Sequence, residues 1–109
     1  MPMVSEKDRA VVKRFKRLME ERGVALHSVV LFGSRARGDS EADSDYDILV
    51  VVDRLDPTIR RQISDCAWEA GFDEALVITP LVITKADLYD GPIRSSLLLK
   101  AVRMEGVSI

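Results

Sequence analysis

Two short apolar runs, His27 to Phe32 and Tyr46 to Val52, constrain the fold of this chain more than any other feature. Both are rich in β-branched residues and read as buried strands. The segment joining them carries Gly33-Ser34, Arg35, Arg37 and a series of acidic residues that ends on Asp45 and Asp47. Charge on a connection between strands is ordinarily a solvated loop, and Asp39, Glu41 and Asp43 are read that way.

The flanking elements follow from spacing. Ser5 caps a first helix with Glu6 and Asp8 in its first turn, where the helix dipole favours acids. Val11, Val12, Phe15, Leu18 and Met19 fall at helical spacing, and Gly23 is a natural stop. Lys13, Arg14, Lys16 and Arg17 make its solvated side. Asp56 caps a second helix expected over 57–70, with Pro57 in its first turn. Ile59, Ile63, Cys66, Ala67 and Ala70 form its buried stripe, and Gly71 ends it.

Leu76 to Thr84 is a third β-branched run, interrupted by Pro80. Proline cannot donate to a ladder, so the run is an edge strand, a bulged strand or two short pieces. Lys85 to Asp90 makes one or two helical turns, and Gly91-Pro92 separates it from a last helix. Ile93, Leu97, Leu98 and Ala101 are expected to line one face of that helix. The order helix, strand, strand, helix, strand, helix predicts an α/β fold: a small mixed β-sheet packed with helices, formed by residues 1–109 as one domain.

A net charge of −2 predicts no general affinity for nucleic acid or anionic membrane, so any phosphate chemistry comes from a local site. The one cysteine, Cys66, falls on an apolar helical face, and its solitude fits a reducing compartment. No run approaches a membrane span and no leader pattern opens the chain. A cytoplasmic protein is expected.

Side chains alternate across a strand, so Asp45 and Asp47 share a face, about 7 Å apart at the backbone. Two charges at that distance repel by roughly 0.6 kcal/mol in water and about 2 kcal/mol at a dielectric of 20. A structural role gains nothing from this repulsion. A divalent cation removes it, and Mg²⁺ is commonly held by one or two carboxylates with substrate phosphates. Gly33-Ser34, directly after the first strand, suits close approach of the backbone to an anion. Arg35 and Arg37 add cationic donors, and Gly38 permits a reversal. If the two strands are neighbours, phosphate donors and carboxylates converge, as a metal-bound nucleoside triphosphate requires.

Rival motifs fail. The chain has no Gly-x-x-x-x-Gly-Lys-Ser/Thr, Ile48 stands where an EF-hand loop needs glycine, and no Cys/His cluster suits zinc.

Gly33-Ser34, ten residues, then Asp45-Tyr46-Asp47 resembles the signature of the DNA polymerase β-like nucleotidyltransferase superfamily. The fuller stretch GSRARGDSEADSDYDILV is similar to that of the minimal nucleotidyltransferases. The resemblance implies a nucleotidyltransferase fold of the polymerase β palm type. It implies Asp45 and Asp47 as catalytic residues and Mg²⁺ ligands, with Gly33 and Ser34 holding the nucleotide's phosphates; Arg35 and Arg37, as cationic donors, are expected to join them in binding the nucleotide. It further implies transfer of a nucleoside monophosphate, most often AMP from ATP, to a hydroxyl. Some members act as antitoxins in toxin–antitoxin pairs by adenylylating a tyrosine of a HEPN-domain partner.

One departure stands out: the superfamily usually has a third carboxylate on a later strand, and LVITPLVIT contains no acidic residue. Asp73 and Glu74 lie just before it. Two functions follow: an enzyme acting on a protein partner, or a nucleotidyltransferase-fold binding module that neutralises or scaffolds its partner. A chain of 109 residues is short for a deep acceptor pocket, which favours a macromolecular acceptor. His27 is expected at a surface or strand edge. Trp68, off its helix's buried stripe, is a partner-facing anchor or a lid over the sheet edge. The last helix and Ile109 complete the core or form an interface in a homo- or hetero-oligomer.

Overall fold

The computed structural model describes residues 4–38, 45–90, 92 and 96–109. Helix α1 (Glu6–Glu21) begins where Ser5 Oγ accepts from the Asp8 N–H at 3.0 Å, and it buries Val11, Val12, Phe15 and Met19. Strand β1 (Leu26–Phe32) leads into α2 (Ser34–Arg37), one helical turn within what the sequence suggested was a plain turn. Strand β2 (Tyr46–Val52) follows. Helix α3 (Pro57–Phe72) is capped by Asp56, whose carboxylate accepts from the Ile59 N–H at 2.8 Å. Strand β3 (Ile78–Thr84), α4 (Lys85–Tyr89), α5 (Leu97–Glu105) and β4 (Val107–Ser108) complete the order.

Among the described residues the sheet has four strands in the order β3-β2-β1-β4. β1 runs antiparallel to β2 and to β4, while β2 and β3 are parallel, joined by α3. The sheet is therefore mixed, as expected. Alternation along β2 divides its residues between two layers. Tyr46, Ile48, Val50 and Val52 pack with Phe15, Met19, Ile63 and Cys66 of α1 and α3. Leu49 and Val51 pack with Leu99 and Val102 of α5.

Pro80 sits in a continuous edge strand. The Tyr46 N–H donates to the Val77 carbonyl at 2.9 Å, so alternate residues from Val77 turn their backbone toward β2. The nitrogen of Pro80 then faces the open side, where a missing N–H costs no ladder bond and discourages strand addition.

Three expectations need correction. Helix α3 runs through Gly71 to Phe72, because that glycine serves close packing: a β-carbon there would overlap the Leu76 carbonyl oxygen. The reversal comes later, at Ala75 with φ 54°. The last helix is turned differently from the apolar face proposed for it. Ser96 caps it through the Leu99 N–H, Leu99 and Val102 are buried against the sheet, and Leu97 and Leu98 are exposed. Ile93 lies outside the described residues, as do Asp39, Glu41 and Asp43. Finally, β4 adds a strand absent from the sequence reading, and Ile109 goes to the core, its N–H donating to the Val29 carbonyl.

Cys66 is buried and His27 is exposed, edge-on to Tyr89. Trp68 is 67% exposed and stacks on Phe72 at 4.6 Å between ring centroids. The pair flanks an open cavity of about 440 Å³ beside Val77 and Pro80 at the β3 edge.

Candidate active site

The register of β1 against β2 builds the site. Phe32 is opposite Asp47, so the residue that follows, Gly33, arrives at the Asp47 carboxylate. Gly33 has φ 75° and ψ −156°, a conformation open to glycine and strained for other residues. A β-carbon at this position would overlap Asp47 Oδ2 and lie 3.3 Å from its Cγ. The chain then closes into α2: the Gly33 carbonyl accepts from the Ala36 and Arg37 N–H groups, each at 3.1 Å. Gly38, with φ 83° in the left-handed region, ends the turn. Thus the Gly-Ser turn and the Asp-x-Asp strand meet.

Asp45 is exposed at the entry to β2, and Asp47 is partly buried one pleat further in. Burial raises the Asp47 carboxyl above the ordinary range, and the charge of Asp45 raises it further, while Arg37 opposes both. Arg37 itself donates to Glu105 Oε2 of α5 at 3.0 Å. Ser34 stands at the first position of α2, partly exposed beside Gly33.

Arg35 is placed differently. It is 7% exposed, donates to Asp8 Oδ1 at 3.1 Å and lies 4.2 Å above the Tyr46 ring centroid. Tyr46 points to the α1/α3 layer, so these contacts hold Arg35 on the side of the sheet opposite Asp47. Tyr46 Oη donates to Asp8 Oδ1 at 2.6 Å, and burial together with that bond holds its phenol protonated far into alkali. Residue types and spacing did not mark Asp8 beyond its place in a first helical turn.

On β3 the register pairs Thr79 with Asp47, so Thr79, Leu81 and Ile83 share the face of the aspartate pair. None is acidic. Asp73 bonds to Arg14 of α1 at 2.9 Å. Glu74 lines a groove with Lys7, Ala10, Val11 and Arg14 in the α1/α3 layer. Glu105, reached through Arg37, is a further carboxylate that the fold brings to this end of the sheet among the described residues. Its approach depends on α5 folding back across β1, which local sequence does not encode.

Among the described residues no group of three or more His, Cys, Asp or Glu side chains is arranged to hold a metal ion. Two crowded carboxylates, one of them partly desolvated, still fit a hard divalent cation that completes its shell with phosphate oxygens and water. With backbone free to approach beside them at Gly33, the arrangement suits binding and activation of a polyphosphate.

The sequence model for the nucleotidyltransferase domain matches residues 12–104. A Methanocaldococcus jannaschii protein, described as a candidate protein adenylyltransferase, is 31% identical over 81 residues, 69% of this chain and 78% of that protein. Among solved structures, a toxin–antitoxin crystal structure with AMP-PNP aligns with TM-score 0.62 at 22% identity, covering 88% of this chain and 69% of the other. An MNT antitoxin complexed with a tri-AMPylated Shewanella oneidensis HEPN toxin aligns with TM-score 0.56 at 19% identity, covering 92% and 69%. No helix among the described residues is long and apolar enough to cross a membrane.

Proposed function

The chain belongs to the nucleotidyltransferase domain family, and from that premise we propose that it transfers AMP from ATP to a hydroxyl of a protein partner, a HEPN-domain toxin. The observation that carries the reading is the contact of the Gly33 turn with Asp47, which puts a phosphate-receiving backbone beside a carboxylate pair. The partner class rests on the fold neighbours, which are MNT–HEPN pairs. An unpaired buried cysteine is consistent with the cytoplasm.

Asp45 and Asp47 would hold Mg²⁺, which when bound supplies charge neutralisation at the phosphates. Gly33 lets the polyphosphate come close to the main chain, and the Ser34 hydroxyl donates to it. Arg37 exchanges its bond to Glu105 for a phosphate oxygen. Arg35, its charge paired with Asp8, supports the turn from beneath. The acceptor oxygen then bonds to the α-phosphorus as the α–β bridge breaks and pyrophosphate leaves, while the acceptor proton passes to a base. ATP labelled at the α-phosphate, Mg²⁺ and a candidate HEPN-domain partner should give a labelled partner, and Asp45→Asn should abolish it. Equal labelling by wild type and variant would end this reading.

The pairing of Thr79 with Asp47, where the superfamily usually has an acid, favours a second reading. In it the chain is a binding module that neutralises its partner without chemistry. Neutralisation that survives the double substitution Asp45→Asn, Asp47→Asn supports this alternative, and its loss supports catalysis.

A further inference from the structure

Beneath the site, on the far side of the sheet from the aspartate pair, three polar side chains meet in the core. Asp8 Oδ1 accepts from Tyr46 Oη at 2.6 Å and from Arg35 Nη1 at 3.1 Å, and the Arg35 guanidinium lies over the Tyr46 ring. Asp8 is 6% exposed, Arg35 7% and Tyr46 fully buried. A buried ion pair is often no better for stability than well-packed apolar residues of the same volume, so stability alone is a weak reason for this one.

The positions of the three residues supply a better reason. Arg35 is two residues beyond Gly33 in α2, and Tyr46 lies between Asp45 and Asp47. Asp8 belongs to a third element, α1, and its single oxygen binds both. One acceptor atom thus ties the phosphate turn to the strand that bears the carboxylates. Both bonds are charge-assisted and in a low-dielectric site, where such bonds are strong and directional. A shift of either partner strains its bond to the other.

We propose that Asp8 is a positioning residue for nucleotide binding, fixing the separation between the Gly33-Ser34 turn and the Asp45/Asp47 pair while touching neither substrate nor metal. The inference rests on the reading of this site as a nucleoside triphosphate site. It separates the two functions of the network: the turn is held through Arg35, and the aspartates through Tyr46.

The test uses the full chain and titrates the non-hydrolysable analogue AMP-PNP with Mg²⁺ by calorimetry, well below the unfolding temperature of every variant. Asp8→Asn keeps the shape and weakens both bonds, and should weaken analogue affinity at least tenfold. Tyr46→Phe removes one hydroxyl and keeps the ring under Arg35. It should raise the Mg²⁺ concentration needed for half-maximal binding, with a smaller change in affinity at saturating Mg²⁺. Ile63→Val, a core change in the same layer that alters none of these polar bonds, is the control for lost stability and should bind like wild type. If Asp8→Asn and Tyr46→Phe bind like wild type, or if Ile63→Val weakens binding equally, Asp8 has only a structural role and the proposal is overturned. If the wild type itself binds no Mg²⁺–AMP-PNP, the nucleotide reading fails first and takes this one with it.

Discussion

Gly33 and Asp47 are in contact across the β1–β2 register, so closely that a β-carbon on the first would occupy the space of a carboxylate oxygen of the second. Two separate motifs are thereby made into one site by a single glycine. Gly33→Ala must relax a φ of 75° and displace Asp47, at a cost of about 1–3 kcal/mol for the backbone strain alone. Urea denaturation should show that loss, and AMP transfer should fall with it. A variant as stable and active as wild type would contradict the packing of this turn on the aspartate.

Asp47→Asn should separate stability from activity. It removes one of two crowded negative charges, whose repulsion is worth about 2 kcal/mol at an effective dielectric of 20. Folding stability is expected to hold or rise slightly, while transfer drops by about 10²-fold or more, given the several kcal/mol that metal-assisted charge stabilisation supplies. A parallel fall of both would instead mark Asp47 as a structural residue.

On the proposed function, Glu105, which accepts from Arg37, competes with a phosphate for it. Arg37 is exposed and Glu105 partly exposed, so the pair is worth about 1 kcal/mol or less to the fold. Glu105→Ala should leave the unfolding midpoint nearly unchanged and tighten AMP-PNP binding several-fold at low salt, with the gain shrinking as salt screens the phosphates. Weaker binding would show that Glu105 helps hold the nucleotide complex.

Cys66 should be chemically quiet. Burial pushes its thiol up, against the lowering pull of nearby Arg22, so at pH 8 less thiolate is present than for a free cysteine. Alkylation by iodoacetamide in native buffer is expected to run at least about tenfold slower than in urea. Equal rates would place the thiol at the surface.

What could be read from the sequence was local. Ser5 and Asp56 announced their helices because an N-cap is decided within three residues, and β2 was bounded by composition alone. Strand alternation put Asp45 and Asp47 on one face before any fold was known. Contacts between distant segments were not legible. The two residues of β4 are a strand only because β1 is there to pair with, and α5 buries Leu99 and Val102 because of where the sheet meets it. Asp8 and Glu105, separated from the motif in sequence, join it through Arg35, Tyr46 and Arg37. Gly71 was misread for the same reason: its neighbour, Leu76, comes from the return of the chain.

Thr79 offers the sharpest test of what this site lacks. It pairs with Asp47 in the parallel ladder, shares its face and is exposed, so an acid introduced there stands next to the aspartate pair. With no cation, Thr79→Asp adds a third negative charge to a crowded place and should lower stability by about 1–2 kcal/mol at low salt. Mg²⁺ should reverse that loss, because the third carboxylate adds a ligand and a base for the acceptor hydroxyl. The expected outcome is a variant less stable than wild type without Mg²⁺, equal to it or better in millimolar Mg²⁺, and faster in AMP transfer. If transfer is unchanged while the Mg²⁺-dependent recovery appears, the acceptor's proton goes to a base outside this strand. If neither appears, the aspartate pair does not bind the metal, and the binding-module reading becomes the better one.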